Sequence, residues 1–486
     1  MANSLKRAGF SGVSWTLTER IIQQVFKILL TVFLARLLSP TDYGLVGVLS
    51  IFTAISTLLI NGGYSHALIL SKENNQNLES SVFFYISLMA IVVYLGFSFG
   101  SQLISTFFAD TIYTLLIPLY FLSYLLNGFA IVPYSILSRN LNFKFLTIIN
   151  SVSYILSGFL ALVFAFMGFG VWALVVQNIS QSAVRTLLSF YFSKWRPTFF
   201  FSFSDITLIR KYSSKLTISG IINLISENIF TILIGKYYSM ADLGYYTQGK
   251  RLFDIPTMTL NGLVQNVSFP ILARTKLDID LLNSYKKIIK VTTYVSTALT
   301  FYILVSSHEM IAVLLSPKWM GSEIYLQILA LVGLTANARL INSNAFKIKN
   351  KLNTFLKITV IQQVIKIVLL FTLVQYGVIY VALVEAFSVT FSYIVIISYS
   401  ERIIAYKMRD QLTEMGKNIL FMIPSVFVYM AFQQINDIYV VFFFGSIGYF
   451  VTLFIVSNWI KDEASLMIKE FVLYYINKIT KVKSFH

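Results

Sequence analysis

The chain has 486 residues, of which 57% are hydrophobic and only 12% charged, and its mean hydropathy is +0.73. Soluble globular proteins carry about 25% charged residues, so this composition excludes an ordinary soluble domain and indicates a polytopic membrane protein. The net charge of +17 does not indicate nucleic-acid binding, because the basic residues lie between apolar segments rather than on one soluble module.

Apolar runs separated by polar, proline or glycine residues predict about fourteen membrane-crossing helices, each near the roughly 20 residues that a crossing needs. An outer-membrane barrel is excluded, because its strands alternate over about ten residues whereas these runs are long and continuously apolar. In chain order the predicted helices lie near residues 14–38, 44–62, 81–107, 111–133, 147–167, 170–192, 214–237, 244–265, 290–314, 323–344, 355–375, 377–399, 417–433 and 438–460.

Basic residues collect in alternate connecting segments, which predicts that these segments and both termini are cytoplasmic. The segments on the other side are nearly free of basic residues, with the exceptions Arg36, Lys236 and Lys318. The first apolar segment contains Glu19, Arg20 and Lys27 and has no small-residue cleavage site after it, so we expect no cleaved signal peptide.

An internal repeat is indicated by similar segments in the two halves. The first and seventh helices are each followed by an S-x-x-D-x-G turn, at residues 39–44 and 239–244. Residues 138–142 correspond to 348–353, and the Gly-Val start of the sixth helix at Gly170 corresponds to Gly377. The sequence therefore predicts two pseudo-symmetric six-helix lobes of the same orientation, followed by two appended helices.

The predicted domains follow from this repeat and from the long polar segment after the sixth helix. They are an N-lobe at residues 1–195, a cytoplasmic linker at 196–213, a C-lobe at 214–400, helices 13 and 14 at 401–460, and a basic tail at 461–486. The tail mixes basic and apolar residues, and we expect it to lie along the anionic inner leaflet.

Polar side chains recur inside three predicted helices, where one central charge costs roughly 2.5–3.5 kcal/mol. On the first helix they follow the i, i+4, i+7, i+11 spacing of one helical face, at Arg20, Gln24, Lys27 and Thr31. The seventh helix has a similar series, spaced i, i+4, i+8, i+12, at Ser219, Asn223, Glu227 and Thr231. The eleventh contains Gln362, Gln363 and Lys366.

These polar faces have two interpretations. Polar groups at membrane depth must face protein or water, so a central cavity lined by both lobes would accommodate all of them. Alternatively, Lys27 and Lys366 pair with nearby acids, or extend to the membrane surface, and only stabilise the helix bundle. A basic cavity would suit a large anionic solute, since Arg and Lys neutralise phosphate.

Enzymatic motifs are missing from the sequence. There is no P-loop, HExxH or G-x-S-x-G motif and no long extramembrane segment for an active site, so we expect no enzyme. Cysteine is absent and the histidines, His66, His308 and His486, are far apart, so we expect no metal site, disulfide or cofactor.

Four segments resemble the polysaccharide repeat-unit flippases, which are Wzx-type O-antigen, capsule and exopolysaccharide translocases of the multidrug/oligosaccharidyl-lipid/polysaccharide exporter superfamily. They are residues 43–47, 63–73, 138–144 and 168–177. The resemblance covers the whole chain, is strongest before Gln177, and agrees with the fourteen helices of the capsule and exopolysaccharide branch.

The resemblance implies transport of an undecaprenyl-diphosphate-linked oligosaccharide across the bacterial cytoplasmic (inner) membrane by alternating access, without ATP, for surface polysaccharide or lipopolysaccharide biosynthesis. It implies that cavity residues receive the diphosphate or acidic sugars, here Arg20, Gln24, Lys27, Gln362 and Lys366. Glu227 and Asn223 would hold a coupling ion. The implied partners are the lipid-linked substrate, membrane lipids, and a polymerase and chain-length regulator of the same pathway.

Two other functions are weighed against this one. A multidrug or small-cation antiporter of the same superfamily would favour acids over bases in the N-lobe, whereas the first helix has Arg20 and Lys27 beside the single acid Glu19. A membrane-embedded polysaccharide polymerase or ligase would have a large outer loop rich in Arg and His, and the predicted outer segments are short.

Overall fold

A computed structural model describes residues 22–70, 75–203, 206, 228–274, 278–460 and 464–467, and these residues form helices and no β-strand. Ten of the described helical segments are long and apolar enough to cross a membrane, judged by length and composition. The all-helical, multi-pass architecture is therefore confirmed, and the total of about fourteen crossings stays a prediction.

The described helices, in chain order, are α1 (22–37), α2 (Pro40–Asn61), α3 (Tyr64–Leu70), α4 (Gln76–Phe108), α5 (Tyr113–Arg139), α6 (Phe143–Phe166), α7 (Val171–Ser193), α8 (228–237), α9 (Met240–Arg274), α10 (Asp278–Leu314), α11 (Glu323–Ile348), α12 (Leu352–Leu373), α13 (Val378–Ile404), α14 (Met408–Phe432) and α15 (Ile438–Ile460). Short 3₁₀ turns at Pro317–Ser322 and Val374–Tyr376 precede α11 and α13.

Several helices begin earlier than the hydropathy pattern predicts. The predicted starts at residues 81, 290 and 417 are wrong, because α4, α10 and α14 begin at Gln76, Asp278 and Met408. The added turns are polar and charged, and in water or at the membrane surface such turns continue a helix without cost to its backbone hydrogen bonds. A hydropathy pattern marks the apolar part of a helix rather than its ends.

The chain forms two compact units, unit 1 at Met1–Gly244 and unit 2 at Tyr245–His486. Residues 204–213 of the predicted linker and the predicted start of the C-lobe at 214–227 lie outside the described residues, apart from Ile206, so the predicted domain boundaries stay predictions. In unit 1, α5 packs against α4 and α7, and α7 also packs against α6. In unit 2, α11 packs against α10 and α13.

The two S-x-x-D-x-G turns fold alike. Ser39 caps α2, and its Oγ donates to Asp42 Oδ2 over 2.6 Å while accepting from the Asp42 backbone N–H over 3.2 Å. Ser239 and Asp242 make the same pair of bonds before α9, at 2.6 and 3.1 Å. Such a reciprocal cap satisfies helix N–H groups that have no intrahelical partner.

The two capped turns also pack against each other through their glycines. A Cβ built on Gly44 would lie 1.7 Å from the Met240 carbonyl oxygen, and one on Gly244 would lie 1.9 Å from the Pro40 carbonyl oxygen. These residues occupy matching places in the repeat, so the contact is reciprocal. Only glycine permits so close an approach of two backbones.

The appended helices α14 and α15 pack against α10 through polar bonds between apolar surfaces. Tyr449 OH on α15 donates to the Ala298 carbonyl over 2.9 Å, and Tyr302 OH on α10 lies 2.8 Å from Ser446 Oγ. Lys290 on α10 is 3.5 Å from Glu414 on α14. In an apolar medium such bonds fix which helix faces meet.

A buried ion pair joins α4 and α5 in unit 1. Arg139 Nη2 lies 2.5 Å from Glu79 Oε1, and the two side chains are only 10% and 4% exposed. A buried pair that loses one partner leaves an uncompensated charge, whereas an exposed pair contributes little.

We therefore expect Glu79→Gln to lower the free energy of unfolding by about 3–5 kcal/mol, because the Arg139 charge stays buried. The matched control is Glu323→Gln, since Glu323 pairs with His308, whose side chain is 56% exposed. Denaturant unfolding of the purified protein in detergent micelles measures both, with a change below about 1 kcal/mol expected for the control. Equal losses in the two variants would contradict a buried-charge effect.

Candidate functional site

Only some of the residues predicted to form the substrate path lie in the part of the chain that the structure describes. Arg20, Asn223 and Glu227 lie outside the described residues, and their roles stay predictions. Gln24 is half-buried and Lys27 exposed on α1. Phe26 and Leu30 of the same helix lie against Gly158 of α6, within 2.7 and 2.9 Å of a Cβ built there.

Unit 2 contains a charged cluster, the Glu385 cluster, made by Tyr246, Lys250, Lys366 and Glu385 on α9, α12 and α13. Lys250 Nζ lies 2.6 Å from Glu385 Oε1, and the Tyr246 hydroxyl donates to Glu385 Oε2. Lys366 interacts with Glu385 electrostatically. With two cations and one carboxylate, the cluster carries a formal charge of +1.

The predicted polar face of α12 contacts α13. Gln362 Oε1 accepts from Ser392 Oγ over 2.8 Å. Lys366, one turn later on α12, interacts electrostatically with Glu385 of α13. A role for Gln362 and Lys366 in a substrate path stays a prediction.

Unit 1 contains a cavity of about 360 Å³ between α2, α3, α5 and α7, here called the Arg185 cavity. Two tyrosines, Tyr124 and Tyr134, contribute ring surface to it. Its polar lining consists of Thr57, Asn61, Ser65, Asn127, Ser135 and Arg185. This volume is at the lower end of the range of about 300–1,000 Å³ found for small-molecule sites.

Arg185 is held over an aromatic ring at this cavity. Its Cζ lies 4.5 Å from the centroid of the Tyr134 ring, and the Tyr134 hydroxyl accepts from Asn150 Nδ2 over 2.8 Å. The bond from α6 fixes the ring, and a guanidinium over a tyrosine face gains cation–π attraction. The Nε of Arg185 is buried and has no hydrogen-bond partner.

Arg185 and Glu385 were not found from the sequence. The signal for Arg185 is present, because Asn178, Ser182, Arg185 and Ser189 follow the same i, i+4, i+7, i+11 spacing as the first helix. Ser182 indeed accepts from Asn127 Nδ2 over 2.9 Å, so this face of α7 meets α5. Glu385 gives no such signal, since it is a single acid in an apolar helix whose partners come from two other helices.

Comparison with known proteins was made for the whole chain. A family model described as "Polysaccharide biosynthesis protein" matches residues 33–324, which is more than half of the chain. The succinoglycan biosynthesis transport protein ExoT of Rhizobium meliloti is 28% identical over 265 residues, 53% of this chain and 52% of ExoT. The chain thus spans about half the length of that relative.

Two other curated relatives match a longer part. The teichuronic acid biosynthesis protein TuaB of Bacillus subtilis is 23% identical over 335 residues, covering 68% of this chain and 69% of TuaB. The lipopolysaccharide biosynthesis protein WzxC of Escherichia coli is 25% identical over 344 residues, which are 68% of each chain.

The fold is similar to that of a solved transporter. The lipid II flippase MurJ in an inward closed conformation matches with a TM-score of 0.73 and 16% identity, covering 95% of this chain and 100% of MurJ. At this identity the likeness establishes the fold alone. The family match and the curated relatives confirm the resemblance to polysaccharide flippases seen in the sequence.

Proposed function

Because the chain belongs to the polysaccharide biosynthesis protein family, a family of membrane transporters, we propose that it moves a lipid-linked oligosaccharide repeat unit across the bacterial cytoplasmic membrane. The carrier lipid is undecaprenyl diphosphate, and the product serves surface polysaccharide or lipopolysaccharide biosynthesis. The main support is the family match over residues 33–324, joined to a multi-pass helical fold with cationic groups inside it.

The cationic residues have a defined task in this proposal. A diphosphate and acidic sugars cross a low-dielectric layer only if their charge is neutralised, and Arg and Lys provide both charge and hydrogen bonds for this. We assign this task to Arg20, Gln24, Lys27, Gln362 and Lys366. Glu227 and Asn223 are assigned to a coupling ion that drives alternating access.

The topology and partners belong to the same proposal. Both termini are cytoplasmic, because the basic connecting segments alternate in the way that cytoplasmic loops do. The chain needs no cofactor and makes or breaks no covalent bond. A polymerase and a chain-length regulator of the same pathway would take the repeat unit after transport.

Deletion of the gene in its own host tests the proposal. We expect loss of surface polysaccharide and accumulation of lipid-linked repeat units, both restored by the wild-type protein. Lys27→Ala and Arg20→Ala should fail to restore polysaccharide at normal protein levels, whereas Lys27→Arg should restore it, because it keeps the charge.

Two results would count against the proposal or its residues. Unchanged surface polysaccharide after deletion would exclude the flippase and call for a drug-efflux or cation-exchange assay of the antiporter alternative. Reduced protein levels in Lys27→Ala, Arg20→Ala and Lys27→Arg alike would instead favour a purely structural role for both positions.

A further inference from the structure

Arg185 has no counter-charge among the described residues of unit 1. None of the ion pairs among the described residues includes Arg185, and its buried Nε has no hydrogen-bond partner. A buried donor without a partner is costly, and native proteins retain few of them. The cavity beside it is the space from which an acceptor can reach the guanidinium.

The geometry of Arg185 favours a planar acceptor. The guanidinium lies over the Tyr134 ring, with Cζ 4.5 Å from its centroid, and this interaction with the ring leaves its N–H groups for a ligand. These groups present parallel donors that fit a carboxylate or phosphate in a bidentate arrangement.

Charge balance decides between these two anions. Among the described residues that line the cavity, Arg185 is the one cation and none is acidic. A diphosphate brings two or more negative charges and would remain undercompensated here, whereas one carboxylate is neutralised by one guanidinium. The Arg185 cavity therefore suits a singly charged carboxylate.

The other lining groups indicate what carries the carboxylate. The amides of Asn61 and Asn127 and the hydroxyl of Ser65 can donate to and accept from hydroxyl groups, and the Thr57 hydroxyl, which donates to the Thr53 carbonyl over 2.8 Å, can accept from them. Tyr124 provides an aromatic ring surface of the kind that packs against the C–H face of a sugar ring. A volume of about 360 Å³ holds one ring of this size rather than a whole repeat unit.

We propose that the Arg185 cavity binds one acidic monosaccharide of the transported repeat unit, a hexuronate, with its carboxylate on Arg185. This assignment rests on the proposed function for its place in transport, but its binding chemistry can be tested alone. Arg185 thereby becomes a residue that selects substrates carrying a sugar carboxylate.

The test is a binding comparison between two sugars that differ only in the carboxylate. Methyl glucuronide and methyl glucoside are titrated into the purified full-length protein in nanodiscs, and binding is followed by saturation-transfer NMR or calorimetry. We expect the glucuronide to bind about tenfold or more tightly than the glucoside, because two charge-assisted hydrogen bonds are added. Arg185→Gln should remove this preference, and Arg185→Lys should keep part of it.

The matched control is Arg402→Gln. Arg402 also lies over a tyrosine, with Cζ 6.0 Å from the Tyr399 ring centroid, but it is exposed and does not line the cavity. This variant should keep the wild-type preference. A thermal melt of each variant reports its fold, and Arg185→Lys keeps the test decisive if Arg185→Gln does not fold.

Three outcomes would overturn the proposal. They are equal binding of the two sugars by the wild type, an unchanged preference in Arg185→Gln, and Arg185-dependent binding of pyrophosphate without binding of the glucuronide. The last would make the cavity a phosphate site. Failure of the proposed function is distinguishable, because it appears as unchanged polysaccharide after gene deletion whatever the sugars do in the binding assay.

Discussion

Alanine at Gly44 or Gly244 is expected to destabilise the protein and to reduce polysaccharide export strongly. The added Cβ would lie 1.7 Å from the Met240 carbonyl oxygen in the first variant and 1.9 Å from the Pro40 carbonyl oxygen in the second. Both obstacles are backbone atoms, so no side-chain rotation relieves the overlap and the two capped turns must separate. Overpacking costs about 1–3 kcal/mol where side chains can adjust, and we expect at least the upper end here.

Gly96→Ala is the matched control for these variants. No atom lies within 4 Å of a Cβ built on Gly96, which is inside α4. Alanine there should be neutral or stabilising by up to about 1 kcal/mol, because glycine is the weaker helix former. Denaturant unfolding in detergent and surface polysaccharide in the gene-deletion host measure both effects. Wild-type stability and export in Gly44→Ala would show that the two turns do not need to touch.

The reciprocal contact also allows the two single alanine variants to be compared with each other and with the double variant. Because Gly44 and Gly244 occupy matching places in the repeat, their alanine variants should lose similar free energies of unfolding. The double variant should lose less than the sum, since separating the turns once relieves both overlaps. Additive losses would indicate that each glycine acts through a different contact.

The local parts of this contact could be predicted from the sequence, and the contact itself could not. The sequence predicts the S-x-x-D-x-G segments as turns between helices, whereas the structure places all but their serines in the first turns of α2 and α9, with Ser39 and Ser239 bonded to Asp42 and Asp242. The Gly-Val segments share one feature. Gly170 and Gly377 both have positive φ, at 55° and 136°, and precede α7 and α13. The approach of Gly44 to Met240 depends on tertiary packing, which no local pattern encodes.

For the candidate sites, too, the sequence predicts one part of the arrangement and not the other, but for a different reason. Polar residues inside an apolar helix, such as Gln362 and Lys366, can be identified from the sequence. The sequence does not identify the groups that they interact with. Lys250 and Tyr246 bind Glu385 from α9, and Lys366 of α12 interacts electrostatically with the same carboxylate. A sequence pattern therefore predicts where charge lies in a membrane helix, and only the packing tells whether that charge is paired.

The interaction of Lys366 with Glu385 makes the Glu385 cluster the place to separate the two interpretations of the predicted polar path. Glu385→Gln removes the carboxylate that accepts from Lys250 and Tyr246 and that acts electrostatically on Lys366, so we expect lower stability. The loss should be smaller than the roughly 3–5 kcal/mol of a fully buried pair, because Lys250 is 32% exposed. Neutralising Lys250 as well, in Lys250→Gln/Glu385→Gln, should recover part of it, since only the Lys366 charge then remains in the cluster.

The recovered double variant then provides a folded background in which Lys366 can be tested for export. If Lys366 belongs to the substrate path, Lys366→Gln in this background should lower surface polysaccharide in the gene-deletion host at normal protein levels, whereas Lys366→Arg should not. If Lys366 only stabilises the bundle, its partner is already gone, and Lys366→Gln should leave export at the level of the background. The comparison is informative because it removes the structural role of the lysine before its role in transport is measured.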